Sequence, residues 1–255
     1  MRRSRFPLLI TVGVMLFFYL PVAVLVVNSF NQSRASGPWS GFTLEWYVRL
    51  LGRRDIWLAF RNTLIVAVSA SFASMLLGTL AAFALHRYRS RLQDIHYTLI
   101  YTPLVVPEIL LGVSLLLLFA AIGVERNLRV LFIGHTTFCI SYVAMVVLAR
   151  LQDFDFAVVE AAQDLGAGTR ETVRRVLLPL LAPGILAGGL LAFTLSIDDY
   201  VISFFLSGPG TVTLPIQINA MIRRDAPALI NALSSLMLCV TFLLVWLSQK
   251  LNKEP

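Results

Sequence analysis

Three carboxylates, Glu108, Asp198 and Asp199, lie well inside long apolar runs of the chain. An ionised carboxylate in hydrocarbon costs about 2.5–3.5 kcal/mol on insertion scales. Such groups must face a bundle interior, a wet cavity or a partner chain, and there they attract cations. Read as straight helices rising 1.5 Å per residue, the runs place Glu108 roughly 20 Å and Asp198 roughly 22 Å from the inner face. Carboxylates at one depth would draw in an extended polycation. Asp198 and Asp199 would point about 100° apart on a helix, so one lines the path while the other pairs with a neighbouring helix. The alternative is a structural role, with the acids paired to Arg223 or Arg224 near the outer mouth. Tyr142, Tyr200, Phe204 and Phe205 offer ring faces to ammonium groups, or simply pack against core and lipid. Pro103 and Pro107 precede Glu108 and permit a kink there. That kink either opens a binding site, as broken membrane helices do, or is passive and satisfied by packing.

Other chemistries are excluded by what the chain lacks. Of its 21 cations only Lys250 and Lys253 are lysines, so no phosphate-binding loop ending in Gly-Lys-Ser/Thr exists. His86, His96 and His135 show no metal-ligand spacing. Cys139 and Cys239 sit within apolar runs, as small buried hydrophobes rather than a disulfide or metal pair. No Ser-His-Asp grouping stands out, and an acidic pair alone is a weak sign of an enzyme. No cofactor is expected on this chain. The sequence pI of about 9.9 would suit nucleic acid, but the arginines form short groups between apolar runs rather than one stripe. No nucleic-acid partner is expected.

The elements that hold these residues follow from composition. Hydrophobic residues make up 58% and charged residues 14% of the 255 residues, with a mean hydropathy of +0.79. A soluble domain carries about 25% charged residues. The expectation is an all-α polytopic membrane protein forming one transmembrane domain over 1–255. Six runs are long enough to span the bilayer, near 7–27, 62–85, 95–121, 130–149, 183–206 and 231–249. The first follows Arg2, Arg3 and Arg5 and reads as a retained helix rather than a signal peptide, for want of a small-residue cleavage site. The cation bias favours both termini inside. Arg87, Arg89, Arg91, Arg150, Arg170, Arg174, Arg175, Lys250 and Lys253 join the N-terminal arginines on the inner segments. Outside, residues 28–61 carry Trp39, Trp46, Tyr47 and Trp57, suited to an interfacial belt or to docking of an external partner. Residues 207–230 hold the turn formers Gly208, Pro209, Gly210, Pro215 and Pro227.

The inner segment near 150–182 is distinct. Val158, Val159, Ala162 and Leu165 recur near helical spacing, and Gly166 and Gly168 stop that helix. Thr169 is placed to cap a second helix, which Pro179 and Pro183 should end. The product is a helical elbow projecting from the membrane; a plain amphipathic connector is the alternative. Its residues Glu160, Ala161 and Ala162, then Gly166, then Leu178 and Pro179, resemble the EAA loop of ABC importer permeases. The resemblance implies that this loop, with Ala167 and Gly168 at its bend, is a coupling helix docking in a groove on an ATP-hydrolysing subunit.

The likeness covers almost the whole chain. Asn28-Ser29-Phe30-Asn31, Gly41-Phe42-Thr43, Trp46-Tyr47, Pro107-Glu108, Thr137-Phe138-Cys139 and Phe193 to Asp199 resemble the second permease subunit of spermidine/putrescine importers. Glu108 departs from that subfamily, which has aspartate there. The resemblance implies a type I importer permease of the bacterial inner membrane. Its partners would be a homologous permease, two copies of an ATPase, a periplasmic binding protein and a polyamine substrate. ATP hydrolysis would reside on a separate subunit, and this chain would be no enzyme. An ABC permease for another small or cationic solute, or a secondary transporter or channel, are the other readings.

Overall fold

The computed structural model describes residues 6–34, 37–87, 92–224 and 226–251. The topogenic cations Arg2, Arg3, Arg5, Arg89, Arg91 and Lys253 lie outside these residues. Every regular element among them is helical, apart from an isolated bridge between Asn31 and Phe42. The chain divides into two compact units, 1–57 with 217–255, and 58–216.

The first unit holds α1 (Phe6–Asn28), α2 (Glu45–Leu51) and α12 (Pro227–Leu251), together with the N-terminal turn of α3 (Arg54–Arg87). The most apolar stretch of α1 is exposed along its whole length, as suits a helix facing lipid or another chain. The segment after α1 is folded around Asn31. Its buried amide side chain accepts from the Ser33 and Ser40 amides (3.2 and 3.0 Å) and donates to the Gly37 and Pro38 carbonyls. Trp46 donates to the Asn31 carbonyl at 2.7 Å and packs on Ala228 and Ala232 of α12. Tyr47 bonds Ser29 at 2.6 Å. Trp46 is therefore core, neither interfacial belt nor docking surface, whereas Trp39 is exposed. Arg53 donates twice to Asp55 (2.8 and 2.7 Å), which raises the guanidinium above its ordinary pKa. Gln217 of α11 (Leu214–Arg223) donates to the same carboxylate.

The second unit is built round α6 (Leu128–Gln152), the most buried of the long helices. The rest of α3 packs on one flank and α9 (Leu178–Asp198) on another. Small residues let the backbones close up. A Cβ at Gly78 of α3 would lie 2.8 Å from Val143 Cβ and 2.9 Å from the Ile140 carbonyl, and one at Gly188 of α9 would lie 3.2 Å from Val143 Cγ1. Asn62 of α3 ties down the loop after Leu206 through the Gly210 and Val212 carbonyls (3.1 and 3.0 Å), and Thr63 accepts from the Leu214 amide at 2.8 Å.

Four helical stretches, Leu8–Asn28, Arg54–Arg87, Leu128–Gln152 and Thr169–Asp198, are long and apolar enough to cross a membrane. Two of the six expected runs are not straight spans. The run at 95–121 is α4 (Gln93–Val105) and α5 (Glu108–Ala121), bent by 110° at Val106-Pro107. Pro107 removes an amide and drives Val106 extended, with ψ at 132°. The straight-helix depth of Glu108 therefore does not hold. The run at 183–206 ends as a helix at Asp198, and a short α10 (Val201–Leu206) follows. The sixth run forms α12, a helix of 25 residues.

Gly78→Val should push α3 off α6 and lower stability by about 1–3 kcal/mol. Detergent thermal unfolding of the purified chain would show this as a lowered midpoint, while Gly13→Val, in open space, should leave it unchanged.

Candidate functional site: an acid cluster at broken helices and an inner elbow

The helix break after α9 is built on Asp199. Its backbone leaves helical geometry (φ −64°, ψ 123°), and its carboxylate turns back onto α10. Oδ1 accepts from the Ile202 amide at 3.1 Å and Oδ2 from the Ser203 amide at 2.8 Å. Two amides freed by the break are thus satisfied by a buried side chain, which membrane interiors demand. His135 of α6 completes the knot. Its Nε2 lies 3.1 Å from Ser203 Oγ and 3.4 Å from Asp199 Oδ2, and its Nδ1 lies 2.7 Å from Ser196 Oγ of α9. The tautomer with hydrogen on Nε2 satisfies all of these, with the Ser196 hydroxyl donating to Nδ1.

Asp198, one residue earlier, is the opposite case. It is exposed and makes no hydrogen bond or ion pair among the described residues. Arg223 donates to Asn219 within its own unit at 3.1 Å. A carboxylate left open on a membrane helix needs water, a cation or another chain beside it.

Glu108 opens α5, at the second break. It is half-buried, and the Asp199 carboxylate lies within electrostatic reach of it. Tyr142 of α6 is half-buried within reach of Glu108. α5 and α10 pack closely, since a Cβ at Gly112 would lie 2.8 Å from Phe205 Cδ2. Tyr200 stacks on Phe204 at 5.6 Å, and Phe204 meets Phe205 edge-on at 5.4 Å. The structure therefore gathers Glu108, Tyr142 and Asp199 beside α6, with Asp198 and Tyr200 flanking Asp199 in the chain. Two short helices, each opening next to a carboxylate, form a small acidic site without an arginine or lysine partner among the described residues. Sequence reasoning missed His135, Ser196 and Ser203. The available signal was a polar ring within an apolar run, which metal-ligand spacing cannot detect.

The elbow lies at the other end of α9. Glu160, Ala161 and Ala162 are on α7 (Ala157–Asp164). Gly166 ends it at φ +89°, with its amide on the Gln163 carbonyl (2.9 Å) and the Ala167 amide on the Ala162 carbonyl (3.0 Å). This paired closure requires a left-handed residue, and glycine adopts it without strain. Leu165, just before the bend, is 90% exposed, an apolar tip at the corner of a polar elbow. Glu160 lines a cleft of about 770 Å³ with His86, Arg87, Phe156 and Thr169.

Two expectations for the elbow are corrected. Gly168, extended at ψ 159°, occupies the cap position, and Thr169 makes no capping bond. Nor do the prolines stop the second helix. α8 (Thr169–Thr172) passes through a π-helical turn at Val173–Leu177 into α9, with Pro179 in its first turn and Pro183 inside. The wider turn lies just where a proline at 179 would otherwise crowd the carbonyl four residues earlier. Thr169–Asp198 is consequently one helical stretch of 30 residues, about 45 Å long. Leu178 and Pro179 sit within it and are exposed.

Comparison with known proteins places this architecture. Residues 74–253 match the family of binding-protein-dependent transport system inner membrane components. The chain belongs to that family. The permease is 38% identical over 239 residues to the spermidine/putrescine transport system permease protein PotC of Escherichia coli K12, covering 93% of this chain and 90% of the relative. It is 40% identical over 229 residues to the putrescine transport system permease protein PotI of the same organism, covering 87% and 82%. Its fold matches a chain of a bacterial ABC transporter that imports alginate, with a TM-score of 0.76, 16% identity and 99% of each chain covered. The permease is an all-α inner-membrane protein of the importer fold.

The two adjacent acids should behave oppositely in the permease. Asp199→Ala strands two buried amides and His135, and should cost about 3–5 kcal/mol. Asp198→Ala touches nothing buried and should stay within about 0.5 kcal/mol of the parent. Thermal unfolding in one detergent compares them directly.

Proposed function

We propose that this permease is a transmembrane subunit of an ATP-driven polyamine importer, with both termini cytoplasmic. It pairs with a homologous permease, two copies of a separate ATPase and a periplasmic receptor that delivers the substrate. The single observation that carries the mechanism is the unbroken helical stretch from Thr169 to Asp198. It joins the elbow to the acidic break, so force applied at one end reaches the other without a hinge.

The chemistry of each end supports this assignment. The exposed Leu165 tip gives an ATPase an apolar knob to hold, and Gly166 fixes its angle. Closure of the ATPases on ATP draws the elbow with them, and the differential affinity of the ATPase for two elbow positions supplies the work. At the far end, Asp198 and Glu108 offer negative charge without an arginine or lysine partner among the described residues of their unit, and Tyr142 and Tyr200 offer ring faces. Polyamines carry spaced ammonium groups that match separated carboxylates. The names of the relatives, spermidine/putrescine and putrescine permeases, agree with that chemistry.

The importer reconstituted in proteoliposomes with loaded receptor tests both ends. Asp198→Asn should lower spermidine uptake about tenfold, the equivalent of about 1.4 kcal/mol, with assembly intact. Uptake at the parental rate would refute the acidic path. Gly166→Val forces a β-branched residue to positive φ, a strain of about 1–3 kcal/mol. Uptake should collapse while membrane insertion persists, and parental uptake would refute the coupling role of the elbow.

A further inference from the structure

The break between α9 and α10 has no proline or glycine behind it. The segment Leu190–Leu206 contains neither proline nor glycine, so nothing in its own backbone forbids one continuous helix through Asp198 and Asp199. The break at Val106-Pro107, by contrast, carries its cause in its sequence. The Asp199 carboxylate caps α10 once the helix is open, and a second set of contacts, from outside the segment, holds both sides of the opening. One imidazole, His135 on α6, clasps the segment on both sides of the break, at Ser196 (2.7 Å) and at Ser203 (3.1 Å), and faces Asp199 at 3.4 Å. The ring is 2% exposed. It is held in place by close packing, since a Cβ at the adjacent Gly134 would lie 2.3 Å from Leu206 Cδ1 of α10.

We infer that His135 is a positioning residue for the substrate path: by clasping Ser196 and Ser203 it holds the helix open at Asp199, and so sets where Tyr200 stands beside the exposed Asp198 carboxylate. The inference rests on the acidic-path reading above. Without the clasp, hydrogen-bonded helix is the alternative for these residues, since each freed amide regains a carbonyl when the helix closes. Closing it leaves Asp198, the last residue of α9, in place but turns Tyr200 and α10 away from their present directions. His135 touches no substrate, and its effect passes through Tyr200.

The test is a double-mutant cycle in the assembled importer, in proteoliposomes with saturating spermidine-loaded receptor, read as spermidine taken up per ATP hydrolysed. His135→Ala should lower that ratio at least about fivefold while ATP hydrolysis stays near the parental rate. Tyr200→Ala should lower it too, and the double variant should be no worse than the poorer single one. His135→Asn, which keeps a donor and an acceptor at the site, should restore part of the ratio. Multiplying losses in the double variant would overturn the inference, as would equal losses of hydrolysis and uptake in His135→Ala. If His135→Ala does not assemble, Ser196→Ala combined with Ser203→Ala removes both clasp points under an intact ring and is read in the same way. A parental ratio in Asp198→Asn alone would instead refute the acidic path, a separate failure visible in a separate variant.

Discussion

A helix broken inside a membrane frees amides that have no water to turn to, and each must find a partner within the protein. The permease meets this constraint at Asp199, whose two carboxylate oxygens take the amides of Ile202 and Ser203. The same requirement explains why a carboxylate is tolerated there. It serves as hydrogen-bond acceptor for backbone and as neighbour to His135, so its charge is distributed over donors rather than left in hydrocarbon. Asp198 has no such work to do: it is exposed and makes no hydrogen bond or ion pair among the described residues.

Around that knot the packing becomes intelligible. α6 carries His135, and it is also the helix that Gly78 and Gly188 allow to approach most closely. A buried polar ring positions its partners only if its own backbone is held, and the small residues provide this. At the opposite end of α9, a π-helical turn accommodates Pro179, so the elbow and the acidic break are two ends of one helical stretch. Gly166, at φ +89°, sets the corner at which the elbow turns. One helical stretch along α9 and a sharp corner at Gly166 are what the proposed lever requires.

Much of this was legible in the sequence because it is local. The positive-φ glycine, the Pro107 break, the apolar runs and the elbow as a non-spanning segment all follow from residue type and spacing. The EAA pattern carried the family. What was not legible is tertiary. Between Leu190 and Leu206 no proline or glycine marks the break, and the His135 contacts from α6, some sixty residues earlier, join the Asp199 cap only in the fold. Trp46 reads as an interfacial aromatic until the Asn31 knot shows it buried. The prolines of the elbow read as stops because the rule for proline assumes an α-helical turn before it, and the π turn relaxes that assumption.

The lever itself is tested by one distance. Spin labels at Arg170 and Thr194, both exposed and both within Thr169–Asp198, can be placed in the assembled importer in lipid. Electron–electron resonance would then give their separation without nucleotide and with ATP trapped. A rigid helical stretch predicts the same distance, about 36 Å at 1.5 Å per residue, in both states. A shift of more than about 5 Å, one helical turn, would place a hinge at the π turn and contradict transmission from elbow to acids.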